Sequence, residues 1–354
     1  MSSRLQPPSC FTGSLDNDGD TVAILRADGA LVHAVTFSKD DYGDPVKQEG
    51  GWSLELIDAA QPCRARGNWT ASRHPRGGTP GQRNAAAGSL PDVELARLLR
   101  SYVPDSTTVV AVFSSGLDSA AAVAARYTLS NGTGLLQVEC LAPLFREVRC
   151  RLTAPLPEGA MTTLELSGLS GCPGTGAVTG AVPVGRALPA TAGSVVFNEV
   201  LYAPAAAGAE FVELLHRGRA PVNLQQLYLA ARTASGAVGT PVRLSDFNFT
   251  LFPGDHLVLS DDPAGVRRGH LVANDAMLLR VSGMPALSDG GASLLLLNAA
   301  GVIIDELRYS PDWQFALVQD PHGVSLERID PDGPTQDAGN WHSAAHTAGY
   351  GTPT

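Results

Sequence analysis

Leu15 to Gly77 aligns without a gap onto Leu287 to Gly349, at a constant offset of 272 residues. A chain that repeats itself over such a span must fold both stretches alike, so any fold class has to satisfy the two together. The first copy runs LDNDGDTVAILRADGALVHAVTFS and then GWSLELIDAAQPCRARGNWTAS. The second runs LSDGGASLLLLNAAGVIIDELRYS and then GVSLERIDPDGPTQDAGNWHSA, so that Gly29 meets Gly301, Phe37 meets Tyr309 and Trp69 meets Trp341. Apolar residues alternate on both sides of Asp28-Gly29 and Ala300-Gly301, which predicts a hairpin whose turn sets the register. Ser53 to Glu55, and again Ser325 to Glu327, place one apolar side chain between two polar ones, as a strand with one solvated face does. A buried tryptophan after Asn68 or Asn340 is then expected to close the domain, its indole N–H on a nearby backbone carbonyl.

The surrounding composition agrees with strands. With 354 residues the chain has room for two or three domains, and its 38 glycines and 25 prolines are spread along the whole length. Long amphipathic periods of helical spacing are rare, so an all-β chain is expected. The formal net charge is −10, Lys39 and Lys47 are the only lysines, and the arginines, Arg267-Arg268 apart, are scattered singly. No basic stripe exists to neutralise phosphates, which argues against nucleic acid as a primary ligand. The opening MSSRLQPPSCF shows neither a charged n-region nor an apolar h-region, so no signal peptide is read there. No membrane span is expected, because apolar runs such as Ala292 to Ile304 fall short of the roughly 20 residues a bilayer needs.

The second copy is preceded by VVFNEVLYAP (Val195 to Pro204), AEFVELLH (Ala209 to His216), NLQQLYLA (Asn223 to Ala230) and FPGDHLVLSDD (Phe252 to Asp262). This succession resembles a bacterial lamin tail domain, an Ig-like β-sandwich that opens with an "NE" strand, continues with "E-Φ-Φ-E-L" (Φ apolar) and ends with "SLERIDP…NW…GTP". The resemblance covers residues 193 to 353 and implies a complete sandwich at 193–354. Applying the offset, Met1 corresponds to Ala273, so the strands that open the second copy have no counterpart in the first. Residues 1–85 are therefore expected to be the C-terminal half of such a sandwich, with unpaired edge strands and an apolar face open to water. A fragment, or a gene model begun at an internal methionine, is the expected cause, with an export signal in the upstream sequence.

Between the copies, GGTPGQRNAAAGS (Gly77 to Ser89) has the composition of a linker. TTVVAVFSSGLD (Thr107 to Asp118), ARYTLSNGTG (Ala125 to Gly134), REVRCRLTAPLPEGA (Arg146 to Ala160) and TTLELSGLSGCPGTG (Thr162 to Gly176) follow. They resemble bacterial Ig-like modules with "V-Φ-F-S…LD", "Y-T-L", "V-x-L…PL…G" and "L-x-L-x-G-L-x-D-C-x-G-N", although Gly171-Cys172-Pro173-Gly174 departs from the last motif. This module is placed at 90–180, and Gly180 to Gly193 is read as a second linker. The expected fold is thus all-β: Ig-like antiparallel β-sandwiches joined by linkers, the N-terminal sandwich incomplete.

Several patterns carry possible chemistry, and each has a structural explanation. Ser114 to Ser119 (SSGLDS) after an apolar strand resembles the pyrophosphate loop of ATP-pyrophosphatases, which presents backbone N–H groups to phosphate. Ser115 stands where the first glycine belongs and no βα units follow, so a strand end with a short helical turn is the better description. Asp16-Asn17-Asp18-Gly19-Asp20 has the carboxylate density of a calcium loop, but Ala27 or Gly29 stands where the bidentate glutamate belongs. The second copy keeps only one carboxylate in Ser288 to Ala292, so a polar turn is expected. Glu199 and Glu213 fall on the first two strands of the complete sandwich, where paired carboxylates do acid/base work, hold a cation or accept hydrogen bonds from loop backbone. Hydrogen bonding is the expected use. His74 and His346 match in the repeat but neither lies in a nucleophile-elbow setting. Cys10, Cys63, Cys140, Cys150 and Cys172 show no metal spacing. Cys140 and Cys150 flank a predicted hairpin and would bridge if their Cα atoms approach within about 7 Å, with Cys172 as the competing partner. Cys63 has Thr335 as its counterpart, so the fold does not need it.

No residue is therefore assigned a catalytic, cofactor-binding or metal-ligating role, and no cofactor is expected. The chain is expected to be a non-catalytic module array of a secreted or cell-surface protein, with spacer, adhesion or binding roles toward an unidentified protein or glycan. The alternative is a set of accessory domains of a larger secreted hydrolase or nuclease.

Overall fold

The computed structural model describes residues 14–29, 31–61, 64, 67–90, 96–170, 177–318 and 320–353. The chain is all-β, with two short α-helices among the described residues. In the first repeat stretch β1 (Gly19–Leu25) and β2 (Leu31–Ser38) form an antiparallel hairpin, and β3 (Leu54–Leu56) pairs with β4 (Trp69–Ala71). Next come β5 (Leu98–Asp105), β6 (Thr108–Phe113), helix α1 (Ser119–Ala124), β7 (Arg126–Leu129), β8 (Leu135–Leu141), β9 (Glu147–Leu152), β10 (Met161–Ser170) and β11 (Ala177–Gly185). They make a four-stranded sheet, β5-β6-β9-β8, and a three-stranded sheet, β11-β10-β7. Val109, Ala111, Phe113, Val148, Cys150, Leu164, Leu166, Val182 and Val184 fill the core between them. Alternation dictates which side chains these are, since the inward residues of β6, β9, β10 and β11 recur at every second position.

Gly180 to Gly193 was expected to be a linker, but its first six residues are the second half of β11, paired from Leu166 to Met161 of β10. The Pro and Gly content of GAVPVG concealed a strand whose valines, Val182 and Val184, are core residues. Cys140 and Cys150 lie on the paired strands β8 and β9, but Cys140 faces Val148 and Cys150 faces Val138, and both are free thiols. Burial pushes Cys140 up to about 11 and Cys150 up to about 12, so both stay protonated and unreactive at neutral pH. Cys10, Cys63 and Cys172 lie outside the described residues.

The remainder forms one larger sandwich. Its strands are β12 (Val195–Leu201), β13 (Phe211–His216), β14 (Val222–Asn223), β15 (Leu227–Ala231), β16 (Val242–Arg243), β17 (Thr250–Leu251), β18 (His256–Ser260), β19 (Leu278–Arg280), β20 (Ala292–Asn298), β21 (Ile303–Tyr309), β22 (Leu326–Arg328) and β23 (Trp341–Ser343), with helix α2 (Pro263–Gly269) after β18. A six-stranded sheet, β19-β18-β13-β12-β22-β23, packs against a four-stranded sheet, β16-β15-β20-β21. Phe197, Leu214, Leu229, Leu294, Leu296, Leu307, Tyr309, Leu326 and Trp341 meet in its core. The four-leucine run Leu294 to Leu297 is buried on both faces, because Leu295 and Leu297 join Ala230 in a separate small cluster on the outer side.

The two repeat stretches have the same backbone at the same offset. Leu54↔Ala71, Glu55↔Thr70 and Leu56↔Trp69 become Leu326↔Ser343, Glu327↔His342 and Arg328↔Trp341. The register breaks between Ile24 and Leu25 in one hairpin and between Leu296 and Leu297 in the other. Each turn glycine has positive φ, +83° at Gly29 and +75° at Gly301, and each donates to the carbonyl three residues before it, Arg26 or Asn298, at 2.9 Å. A side chain there would adopt the left-handed region at a cost, which is why both copies keep glycine. Each copy also has an asparagine clamp. Asn68 accepts from Asp58 N (2.7 Å) and donates to Asp58 O (2.9 Å), while Asn340 accepts from Asp330 N (2.8 Å) and donates to Asp330 O (3.0 Å).

Their surroundings differ. Trp341 is buried and donates from Nε1 to Thr335 O at 2.9 Å, whereas Trp69 is only half-buried and its corresponding acceptor, Cys63, lies outside the described residues. The two tryptophans thus share a backbone position but not an environment. Trp341 packs against Trp313 and under Arg328, and shares the core with Phe197 of β12 in the same sheet. The first stretch has no strand in the position of β12 among the described residues.

Candidate functional site

Strands β13, β12 and β22 lie side by side, and their register puts three glutamates in one row, Glu213↔Glu199 and Glu199↔Glu327, with His342 opposite Glu327 on β23. The sequence suggested that Glu199 and Glu213 approach each other. The structure makes them direct cross-strand neighbours and adds Glu327, which sequence reading treated only as part of a repeated strand. Glu199 and Glu213 are buried. Burial first, and then the facing Glu213 and Glu327 carboxylates, push Glu199 up to about 8 against opposing hydrogen bonds from Ser325 and the Thr352 backbone. Glu199 is therefore protonated at neutral pH, as a carboxyl removed from water beside other acids must be.

The segment Tyr350 to Pro353 covers this row. Thr352 N donates to Glu199 Oε1 (3.1 Å) and Thr352 Oγ1 donates to Glu327 Oε1 (2.9 Å), while Asn198 Nδ2 donates to Glu213 Oε1 (2.7 Å). Ser325 N donates to Tyr350 O and Ala273 N to Pro353 O, so the segment is fixed at both ends. Gly351 sits so close that a Cβ there would lie 2.8 Å from His270 Nδ1 and 3.2 Å from Glu199 Oε1. Only glycine lets the chain pass this near the buried imidazole and carboxyl. Burial lowers the His270 pKa, against an opposing contact with the Gly349 backbone, so the ring is neutral beside the protonated Glu199. Chemically the row acts as a hydrogen-bonded clasp for the segment Tyr350 to Pro353. Among the described residues no group of three or more His, Cys, Asp and Glu is placed to hold a metal ion.

The first copy uses the same device. Thr79 Oγ1 donates to Glu55 Oε1 at 2.6 Å, as Thr352 does to Glu327, and each threonine belongs to a Gly-Thr-Pro triplet. The offset is one residue larger here because Tyr350 is inserted between Gly349 and Gly351. The stretch after Thr79 was expected to be a linker, yet it is a strap. Asn84 Nδ2 donates to Leu56 O, Ala86 N to Glu55 Oε2, Gly88 N to Ile57 O, and Leu90 N to Asp58 Oδ2, all between 2.8 and 3.0 Å. Small residues make up this stretch, and Ala86, whose N–H is held by Glu55 of β3, is buried.

The other candidate residues are held in structural bonds. Asp118 caps α1, accepting from Ala121 N at 2.9 Å, and that helix has six residues. Ser114 is tied to Arg97 by Ser114 N→Arg97 O and Arg97 N→Ser114 Oγ, both 2.9 Å, so the Ser114 to Ser119 segment is a pinned strand end. Asp16 accepts from Asp18 N and Asp20 from Thr21 N, turn bonds within an exposed stretch. His74 Nδ1 accepts from Arg76 N, and His346 packs edge-on against Tyr350. A groove of about 440 Å³ opens between β2, Leu56 and Trp69 on one side and the loop residues Leu117 and Phe145 of the middle module on the other.

Comparison with known proteins bears on one part of this chain. Residues 189–311 match the family model described as Lamin Tail Domain. No curated protein matches the sequence. Similar solved structures include the N-terminal part of the bacterial S-layer protein SbsC, with 14% identity over 61% of this chain and 44% of that one and a TM-score of 0.23. They also include the S-layer protein rSbsC(31-844), with 14% identity over 61% of this chain and 40% of that one and a TM-score of 0.25. A DUF4876 family protein from Bacteroides thetaiotaomicron VPI-5482 shows 10% identity over 71% of this chain and 92% of that one, with a TM-score of 0.27. The chain spans less than half the length of the S-layer structures it matches. In its C-terminal part the chain carries a lamin-tail-like domain.

Proposed function

We propose that this chain is a non-catalytic module array of a secreted or cell-surface protein: a lamin-tail-type half sandwich at 1–85, an Ig-like module at 90–180 with β11 continuing to Gly185, and a complete lamin-tail-like sandwich at 193–354. The modules act as spacers and as adhesion or binding units. The observation that carries this is how consecutive parts are joined. Arg100 of β5 donates to Asn248 O (2.9 Å) and its guanidinium lies 4.7 Å from the Phe249 ring centre, across the boundary between middle module and sandwich. Gly185 is so close to the sandwich that a Cβ would meet Pro221 at 2.6 Å. The first part also touches the third, not its neighbour in sequence: Asp40 accepts from Arg280 Nη2 at 2.6 Å, with Arg267 at 3.6 Å. A spacer needs such fixed joints, because free linkers would let the modules collapse on one another.

Two measurements on the full chain test this. Limited proteolysis is expected to leave residues 77–90 and 180–193 uncut until the chain unfolds globally, and early cleavage at both would contradict the spacer role. Antibody against the chain is expected to label intact, unpermeabilised cells that produce it, and labelling only after lysis would contradict surface placement.

A further inference from the structure

The six-stranded sheet of the C-terminal sandwich buries residues on its outer face as well as its inner one. There Val266 of α2 packs over Leu201, Phe211, Val258 and Leu278 in a second, small core. Glu199 and Glu213 lie on this same face, because Glu199 and Leu201 are two residues apart on β12 and Phe211 and Glu213 two apart on β13. His270, in the loop after α2, packs edge-on against Phe211 with ring centres 5.6 Å apart. Glu199 is the middle carboxyl of the row, 1% exposed, with Glu213 on one side and Glu327 on the other. The donors that reach the row, Asn198 Nδ2, Thr352 N and Thr352 Oγ1, carry no charge. Three neighbouring carboxyls cannot all ionise away from water, since each charge opposes the next. For Glu199 to ionise, something that shuts it from solvent must move. Strands β13 and β22 are laddered to β12, whereas Tyr350 to Pro353 is attached by separate hydrogen bonds: Thr352 to Glu199 and Glu327, Ser325 N to Tyr350 O (3.0 Å) and Ala273 N to Pro353 O (3.3 Å).

We propose that the segment Tyr350 to Pro353 is a proton-dependent latch, closed over the glutamate row while Glu199 keeps its proton and opening to admit water when that proton is lost. The sign follows from linkage. Closed, Glu199 holds its proton up to about pH 8, whereas in contact with water it releases it near the ordinary 4.5. The open state is therefore favoured as pH rises between those values, by up to about tenfold per unit, and the gain levels off above about 8. The titratable groups facing Glu199 and its neighbours are Glu213 on β13, Glu327 on β22, His342 on β23, 3.9 Å from Glu327 Oε2, and His270 beside Gly351. Arg328, next to Glu327, belongs to the other face of β22 by alternation. Opening also frees the loop after α2, because the Ala273 N–H loses the Pro353 carbonyl. This inference is independent of the module reading above, which stands or falls on proteolysis and surface labelling.

The test is amide hydrogen exchange of the full chain at about pH 6 and about pH 8, each rate divided by the intrinsic rate of an open amide at that pH. Protection of the Thr352, Ser325 and Ala273 amides is expected to fall at least about tenfold from the lower pH to the higher, while Leu229 and Leu296 in the β15–β20 ladder keep theirs. In Glu199→Gln, which cannot ionise there, the three amides are expected to be equally protected at both. Glu327→Gln removes one facing acid at the more open end of the row, so it is expected to reduce the fall, and it serves as the readout should Glu199→Gln not fold. Unchanged protection of the three amides in the unaltered chain overturns the proposal. So does a fall shared by Leu229 and Leu296, which is global unfolding, or a fall that persists undiminished in either variant.

Discussion

The stretch 19–71 and the stretch 291–343 have the same strands, the same register, the same bulge and the same asparagine clamp, yet one is buried inside a sandwich and the other stands at its surface. The hairpins and the β3–β4 and β22–β23 ladders share one geometry, although no opposing sheet covers the first copy among the described residues. What the opposing sheet supplies is the hydrophobic term. Leu294 to Leu297, Ile304, Leu307 and Trp341 lose nearly all contact with water, whereas Val22 to Leu25, Val32 and Trp69 do not. At roughly 1.5 to 3 kcal/mol for each large apolar side chain fully buried, the second copy gains stability that the first forgoes. The first copy compensates in part through its strap, whose backbone donors saturate Glu55, Ile57 and Asp58. The corresponding Ile329 is exposed.

The largest difference between the copies is expected at the tryptophans. Trp341→Ala should cost about 3 to 5 kcal/mol, because it opens a cavity between two sheets and frees the Thr335 carbonyl, whereas Trp69→Ala should cost about 1 kcal/mol. Urea unfolding of the two variants compares them, and equal losses would break the distinction drawn between covered and uncovered halves. The asparagines sharpen it from the other side. Asn68→Ala and Asn340→Ala should each cost about 1 to 3 kcal/mol, since each clamp is buried and leaves a backbone N–H and C=O without partners.

The carboxylates should separate the copies by pH. Glu199 has a folded pKa raised to about 8, so the folded state holds a proton that the unfolded chain releases near 4.5. Stability from this group is full below about 4.5 and is lost as pH rises toward about 8, and Glu199→Gln should flatten that slope in thermal melts. Glu55 behaves oppositely: burial works against its charge, but donors from Thr79, Ala86, Ser72 and Ala85 outweigh it and hold the pKa below the usual carboxylate value. Its stabilisation is present above the unfolded pKa and lost as pH falls through the folded one, so Glu55→Gln should matter at pH 7 and not in acid. Asp40→Ala should have the smallest effect, about 0.5 to 1 kcal/mol, because its ion pair with Arg280 is only partly shielded, and the difference should shrink in high salt.

Much of this was legible in the sequence. The repeat and both hairpins follow from apolar alternation and turn residues, and the opening strands of the C-terminal sandwich from the family resemblance; the buried closing tryptophan is found at Trp341, whereas Trp69 is only half-buried. The strap at 79–90 was not, because its bonds are made by backbone N–H groups and one asparagine, and its small residues carry no period. The second half of β11 was hidden by Gly and Pro, and β5 by the polar residues of LLRSYVPD. The glutamate row was half legible: Glu199 and Glu213 lie on consecutive strands, but Glu327 joins them by a long-range pairing that no local pattern encodes.

Amide hydrogen exchange along β1 and β20 tests the central claim most directly, since the two strands have matching sequence positions, register and turn. The full chain alone, at low concentration, is expected to show β20 amides protected to near the global limit and β1 amides exchanging at least about a hundredfold faster, with β3–β4 intermediate. Equal protection of β1 and β20 would contradict the account, because it would mean that the first half is covered as fully as the second.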